Sequence, residues 1–74
     1  MDNEFKYEIT EKIAILSENT TGNYTMELNR ISYNGSTPKI DVRKWNKKSN
    51  KMLKGITLTD DEAKALKEAL NRII

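Results

Sequence analysis

Apolar residues recur at every second position through most of the first 58 residues, and this spacing commits that region to strands rather than helices. Between Phe5 and Leu16 they fall mainly on odd positions. The unbroken apolar run Ile13–Leu16 is typical of a strand covered on both faces. The polar stretch Ser17–Asn23 follows, and we predict that it is a loop.

The second predicted strand, Tyr24–Tyr33, changes its apolar phase from even to odd positions around Asn29 and Arg30. An extra residue there would produce this change, so we predict a β-bulge and a strongly curved sheet. Asn34–Pro38 is dense in turn residues and should connect to the next strand.

The third predicted strand, Lys39–Trp45, places Ile40 and Val42 on one face, which we expect to be the core. Arg43 and Trp45 share the opposite face, so we expect Trp45 at an exposed or rim position. A cationic loop, residues 46–51, and a fourth strand over residues 52–58 complete the β region.

The remaining residues predict one helix. Thr59–Glu62 forms a capping box, in which a threonine hydroxyl and a glutamate carboxylate satisfy free amides of the first turn. A wide apolar face follows at helical spacing and includes Leu66, Leu70, Ile73 and Ile74. We therefore predict one α+β domain over residues 1–74, with four strands followed by a C-terminal helix.

The length of 74 residues and the absence of cysteine and histidine limit how this domain can be stabilised. It has neither a disulfide nor the usual ligands of structural zinc, so we expect a homodimer. The same absence removes common catalytic groups, and we expect a non-enzymatic protein without metal or cofactor. With no secretory signal at the N-terminus and no apolar run of membrane-spanning length, we expect a cytoplasmic protein that does not enter membranes.

Charge is concentrated in one segment. Lys39–Lys54 contains seven basic residues and one acid, a charge of +6 in a chain whose formal net charge is +2. Such a basic band containing a tryptophan is typical of surfaces that contact phosphates and stack on bases. The one predicted helix begins with three acids and is unsuited to the major groove, so the pattern favours single-stranded nucleic acid with little sequence preference.

Three segments carry a family resemblance: Glu27–Asn34, Lys39–Trp45 and Lys54–Thr59, followed by the helix. Together they resemble the DNA-binding domain of the transcriptional positive cofactor four family, in particular its short bacterial, YdbC-like branch. One difference is that the third strand ends in Lys44–Trp45, where the family often has two aromatic residues.

The resemblance implies a homodimer of curved four-stranded antiparallel sheets, packed through the C-terminal helices, with single-stranded DNA lying across the sheets. Eukaryotic family members are transcriptional coactivators. The positions that the resemblance implies for nucleic-acid binding are Tyr33, Arg43, Trp45, Lys47, Lys48, Lys51 and Lys54. We also expect Arg30 and Lys39 to contribute to binding. Those implied for the dimer interface are Leu66, Leu70, Ile73 and Ile74.

Two alternatives fit the same residues. Stacking and phosphate contacts do not read the 2′-hydroxyl, so single-stranded RNA is a second possible target. The basic band could instead dock an acidic protein, such as a component of the transcription machinery.

Overall fold

The computed structural model describes residues 6–74, so Phe5 and the N-terminal residues considered above lie outside the described part. Four strands are followed by one helix: β1 (Tyr7–Glu18), β2 (Tyr24–Tyr33), β3 (Lys39–Asn46), β4 (Lys51–Leu58) and α1 (Asp60–Ile73). The strands form one antiparallel sheet in the order β1-β2-β3-β4. The predicted α+β class and strand count are confirmed.

The irregularities of the sheet lie in its edge strands. β2 pairs with β3 without interruption, and opposite Asn29 and Arg30 the extra residues lie in β1, so the bulge was predicted in the wrong strand. Three register shifts lie instead along β1, and each places one extra residue in that strand. The phase change in β2 has another cause: Leu28 lies on the face that α1 covers, whereas Ile31 is buried on the opposite face.

The sheet is strongly curled. Tyr7 and Trp45 pair with opposite ends of β2, Tyr7 with Tyr33 and Trp45 with Thr25. At the usual rise per residue, Tyr33 and Thr25 are about 26 Å apart along β2. The rings of Tyr7 and Trp45 nevertheless lie 5.9 Å apart. Curling brings the start of β1 across one face of the sheet, which we call the concave face.

The apolar run of β1 is not covered on both faces, contrary to the prediction. Ile15 and Leu16 are 62% and 54% exposed. β1 is an edge strand, and α1 packs against β3 and β4 rather than against β1. The run is therefore apolar surface within one subunit.

Helix α1 begins at the predicted capping box. The Thr59 hydroxyl accepts from the Glu62 amide at 3.1 Å, and the Glu62 carboxylate accepts from the Thr59 amide at 2.9 Å. Three acids in the first turn and Arg72 in the last complement the helix dipole. No helix among residues 6–74 is both long and apolar enough to cross a membrane.

The helix lies over the other face of the sheet and leaves an apolar groove of about 480 Å³ beside it. The sheet and the helix both line this groove, through residues that include Leu28, Val42, Leu58, Leu66 and Leu70. None of the helical residues is buried, and the last two residues of the chain, Ile73 and Ile74, are 78% and 94% exposed. The chain therefore leaves the apolar face of α1 largely uncovered.

The prediction that the core lies on the face of Ile40 and Val42 is wrong, since both residues are only partly buried. The described residues contain two buried apolar side chains, Ile31 and Trp45, and both lie on the concave face. Five polar residues are also buried, and all of them except Ser32 share that face: Thr25, Glu27, Asn29, Ser32 and Asp41. Curling can bury this polar face because its side chains form hydrogen bonds with one another.

Candidate nucleic-acid interface

Trp45 is 2% exposed, so the expectation of an exposed or rim position is wrong. Its backbone position follows the predicted alternation, since Arg43 and Trp45 pair with Glu27 and Thr25 on the concave face. The curled sheet covers this face, with Tyr7 packed against the indole at a tilt of 52°. The indole Nε1 is buried without a hydrogen-bond partner among residues 6–74, and the ring offers no open face for a base.

Arg43 is held inside the protein by its neighbours. Its Nε and Nη2 donate to the two carboxylate oxygens of Asp41 at 3.0 and 2.9 Å. Nη1 donates to the Leu53 carbonyl at 2.8 Å, and Nη2 also donates to the Tyr33 hydroxyl at 3.3 Å. Because these four bonds use most of the donors of a guanidinium, Arg43 has little capacity left for a phosphate.

Asp41 is the centre of this network. Its carboxylate is 0% exposed and accepts from the Tyr33 hydroxyl at 2.6 Å and the Thr57 hydroxyl at 2.9 Å, besides Arg43. The structure thus brings together Tyr33 and Arg43, both predicted site residues, through an acid that the sequence analysis did not assign to the site. The network joins β2, β3 and β4.

The ionisation of this network follows from its contacts. Burial raises the pKa of Asp41, but hydrogen bonds from Arg43, Tyr33 and Thr57 outweigh burial and leave the pKa below its ordinary value. The hydrogen bond to Asp41 raises the pKa of Arg43. Burial, and then the hydrogen bond to Asp41, raise the pKa of Tyr33. At neutral pH the network therefore contains one carboxylate, one guanidinium and one neutral phenol.

Four lysines of the basic band form a group at and after the β3–β4 turn, which we call the lysine cluster: Lys47, Lys48, Lys51 and Lys54. All four are exposed. The Asn46 side chain fixes the turn, because its oxygen accepts from the amides of Lys48 and Ser49 at 3.1 and 3.2 Å. The Lys47 amide also donates to the Asn23 carbonyl at 2.7 Å, which ties the cluster to the β1–β2 loop.

The other predicted cations lie elsewhere in the fold. Lys39 begins β3, at the end of that strand away from the β3–β4 turn. Arg30 lies on the face that α1 covers, where it pairs with Asp60 at 3.4 Å and Glu11 at 3.9 Å. Arg30 is therefore already paired with two acids, and Lys39 does not lie in the β3–β4 turn with the lysine cluster.

Within the lysine cluster, only Lys47 forms an ion pair with a described residue. Its Nζ lies 3.2 Å from a carboxylate oxygen of Glu27 and 6.0 Å from the centre of the Trp45 ring. Glu27 also accepts hydrogen bonds from the Thr25 hydroxyl at 2.6 Å and from the side-chain amide of Asn29 at 3.5 Å. Burial raises the pKa of Glu27, but these hydrogen bonds and Lys47 lower it below its ordinary value.

The structure adds Tyr24 as a candidate site residue, which was not predicted as one from the sequence. This tyrosine is 44% exposed and pairs with Asn46, directly before the lysine cluster. Lys44 lines the same shallow depression. The one indication in the sequence was its position, because a tyrosine at a strand start beside a loop is often open to solvent on one side. Among residues 6–74, no three acidic side chains converge in a way that could hold a metal ion.

Comparison with known proteins identifies the family. Residues 23–69 match the family model described as Transcriptional Coactivator p15 (PC4). A protein of Treponema pallidum (strain Nichols), described as uncharacterized, is 43% identical over 72 residues, which cover 96% of this chain and 82% of that protein. The family match spans more than half of the chain and includes β2, β3, β4 and most of α1. The chain belongs to the PC4 family, whose membership indicates a nucleic-acid-binding, coactivator-like protein.

Proposed function

We propose that this protein binds single-stranded DNA with little sequence preference, as a non-enzymatic homodimer. The observation that carries the proposal is the lysine cluster on a PC4-family sheet. Lys48, Lys51 and Lys54 are exposed and form no ion pair with any residue in the described range. Their ammonium groups are therefore available to phosphates, which carry no sequence information.

Stacking in this proposal involves Tyr24 rather than Trp45. The exposed ring of Tyr24 lies at the same end of the sheet as the lysine cluster, whereas the indole is covered. A base that stacks on an aromatic side chain contributes about 1–3 kcal/mol. Because every base has a stacking face, this contact adds affinity without selecting a sequence.

The homodimer is proposed from the uncovered apolar surface. A second copy would cover the groove beside α1 together with Leu66, Leu70, Ile73 and Ile74. With only two buried apolar side chains among the described residues, a single subunit has little core of its own. A cytoplasmic location is proposed with it, from the sequence alone.

The test is a titration with oligo-dT, oligo-U and a duplex of matched length, each over a salt series. Single-strand binding should weaken with salt at a slope of about −0.7 in log K for each phosphate contacted. The double variant Lys48→Gln and Lys51→Gln should flatten that slope by about 1.4. The control, Lys6→Gln with Lys64→Gln, removes the same charge elsewhere and should leave the slope nearly unchanged.

Other results would redirect or end the proposal. Equal binding of oligo-U would extend the target to RNA. Preference for duplex, or binding that does not depend on salt, would contradict the proposal. If no oligonucleotide binds, the alternative of an acidic protein partner for the lysine cluster takes its place.

A further inference from the structure

Lys47 differs from the rest of the lysine cluster because an acid of the same chain already holds it. Its side chain is 41% exposed, whereas that of Glu27 is 7% exposed. The ammonium is therefore within reach of solvent, while the carboxylate is enclosed by the sheet. The same ammonium lies over the Trp45 ring, so one cation contacts two groups of the concave face.

Glu27 is held in place by its own strand. Thr25 and Asn29 donate to its two carboxylate oxygens, so the carboxylate is restrained from following Lys47 outward. These bonds also keep the group ionised at neutral pH. The structure thus places a fixed anion against a lysine that would otherwise be available to a phosphate.

We propose that Glu27 is an intramolecular competitor for Lys47, and that a backbone phosphate of bound single-stranded nucleic acid takes Lys47 from it. This inference rests on the proposed function. A lysine ammonium carries a single charge, and each of its two possible partners gains less when the other is present. Glu27 therefore lowers the affinity below what the lysine cluster alone would give and favours release of the strand.

The proposed movement of Lys47 changes the surroundings of Trp45, whose ring its ammonium contacts. When Lys47 moves to a phosphate, the cation leaves the face of the indole. The chain contains one tryptophan, so its fluorescence reports on this movement without interference from another tryptophan.

The experiment uses the whole protein and oligo-dT. Glu27→Gln keeps the shape of the side chain and its capacity to accept from Thr25, but removes the charge. Glu68→Gln is the matched control, since Glu68 is exposed on α1 and forms no ion pair with a described residue. Both variants are also made in a Lys47→Gln background, and unfolding curves establish that each protein is folded.

We expect Glu27→Gln to raise affinity about threefold to tenfold at low salt and to steepen the salt slope by up to about 0.7, the value for one phosphate contact. Glu68→Gln should have a smaller effect. In the Lys47→Gln background the affinity gained by Glu27→Gln relative to Glu68→Gln should disappear, because the lysine for which Glu27 competes is gone.

If Glu27→Gln does not fold, the fluorescence of Trp45 still tests the inference, because it is measured in the wild-type protein and in Lys47→Gln. Saturating oligo-dT should change Trp45 emission in the wild-type protein, and Lys47→Gln should abolish most of that change. An unaltered wild-type emission, or the same change in Lys47→Gln, would overturn the inference. If the wild-type protein binds, equal effects of Glu27→Gln and Glu68→Gln on affinity would also overturn it. If the wild-type protein binds no strand, the proposed function fails first and this inference falls with it.

Discussion

Asp41 and Arg43, two residues apart on β3, form a two-point ion pair in which both carboxylate oxygens accept from the guanidinium, at 3.0 and 2.9 Å. Side chains two apart on a strand share a face, so the alternation that brings them together is local. The burial of the pair is not local, because it requires the curl of the whole sheet. The contact between Asp41 and Arg43 therefore follows from the β3 sequence, whereas its burial follows from the tertiary structure.

Asp41→Asn should destabilise the protein strongly. The change removes the charge that compensates Arg43, whose side chain is 15% exposed. Removing one partner of a buried ion pair costs about 3–5 kcal/mol, and we expect the lower end because some solvent reaches Arg43. Urea unfolding measures the loss. Glu68→Gln, on the exposed surface of α1, is the control and should change stability little; a loss as small for Asp41→Asn would contradict the structural role.

Acid should destabilise the protein through the same carboxylate. The pKa of Asp41 is below its ordinary value of 3.8 in the folded state, so between the two values the unfolded state binds more protons. Its contribution is present above pH 3.8 and is lost as the pH falls through the lowered pKa. Glu27 acts in the same direction from its ordinary value of 4.5. Unfolding curves should show stability falling below about pH 5, less steeply in Asp41→Asn; a rise in stability on acidification would contradict this assignment.

Gly55 should tolerate no side chain. It lies opposite Arg43 across β3 and β4, where a Cβ would meet the Arg43 Cβ and the Val42 carbonyl oxygen at 2.5 Å. Because the backbone fixes both atoms, the strands would have to separate, and we expect Gly55→Ala to cost about 1–3 kcal/mol or more. Thermal unfolding of Gly55→Ala and of the neighbouring control Lys54→Ala tests this. Similar stabilities for the two variants would show that β4 adjusts without cost.

The strands and the helix could be predicted because their determinants are local. β2 begins and ends as the alternation of Tyr24–Tyr33 indicates, and the capping box marks where α1 begins. The exposure of the lysines in and after the β3–β4 turn could also be predicted from their spacing, whereas their role in binding stays a prediction. Each of these features depends on residues within a few positions of one another.

The interior could not be predicted in the same way. Glu27, Asn29 and Asp41 alternate with apolar residues and therefore resemble the solvent side of a strand. They are buried because β2 and β3 place them side by side and the bulges of β1 curl the sheet over them. The same curl covers Trp45. Pairing between distant strands decides both outcomes, and no single segment encodes it.

The helix face should control the oligomeric state. Leu66 and Leu70 line the apolar groove and are 42% and 39% exposed in one subunit. If a second copy covers them, Leu66→Glu with Leu70→Glu should convert a dimer into a monomer, because burying an unpaired carboxylate is costly. Solution mass measured by light scattering tests this, with Glu68→Ala as the control on the same helix. A wild-type protein that is monomeric at high concentration would contradict the proposed dimer.

Tyr24 and Trp45 should contribute to strand binding in different ways. Tyr24→Ala removes an exposed ring beside the lysine cluster, so we expect affinity for oligo-dT to fall by about 1–3 kcal/mol while the salt slope stays the same. Tyr24→Phe keeps the stacking face and should bind like the wild-type protein. Trp45→Phe alters a covered side chain and should change stability more than affinity. If Tyr24→Ala binds normally and Trp45→Phe does not, the strand reaches the concave face, and the indole must become uncovered during binding.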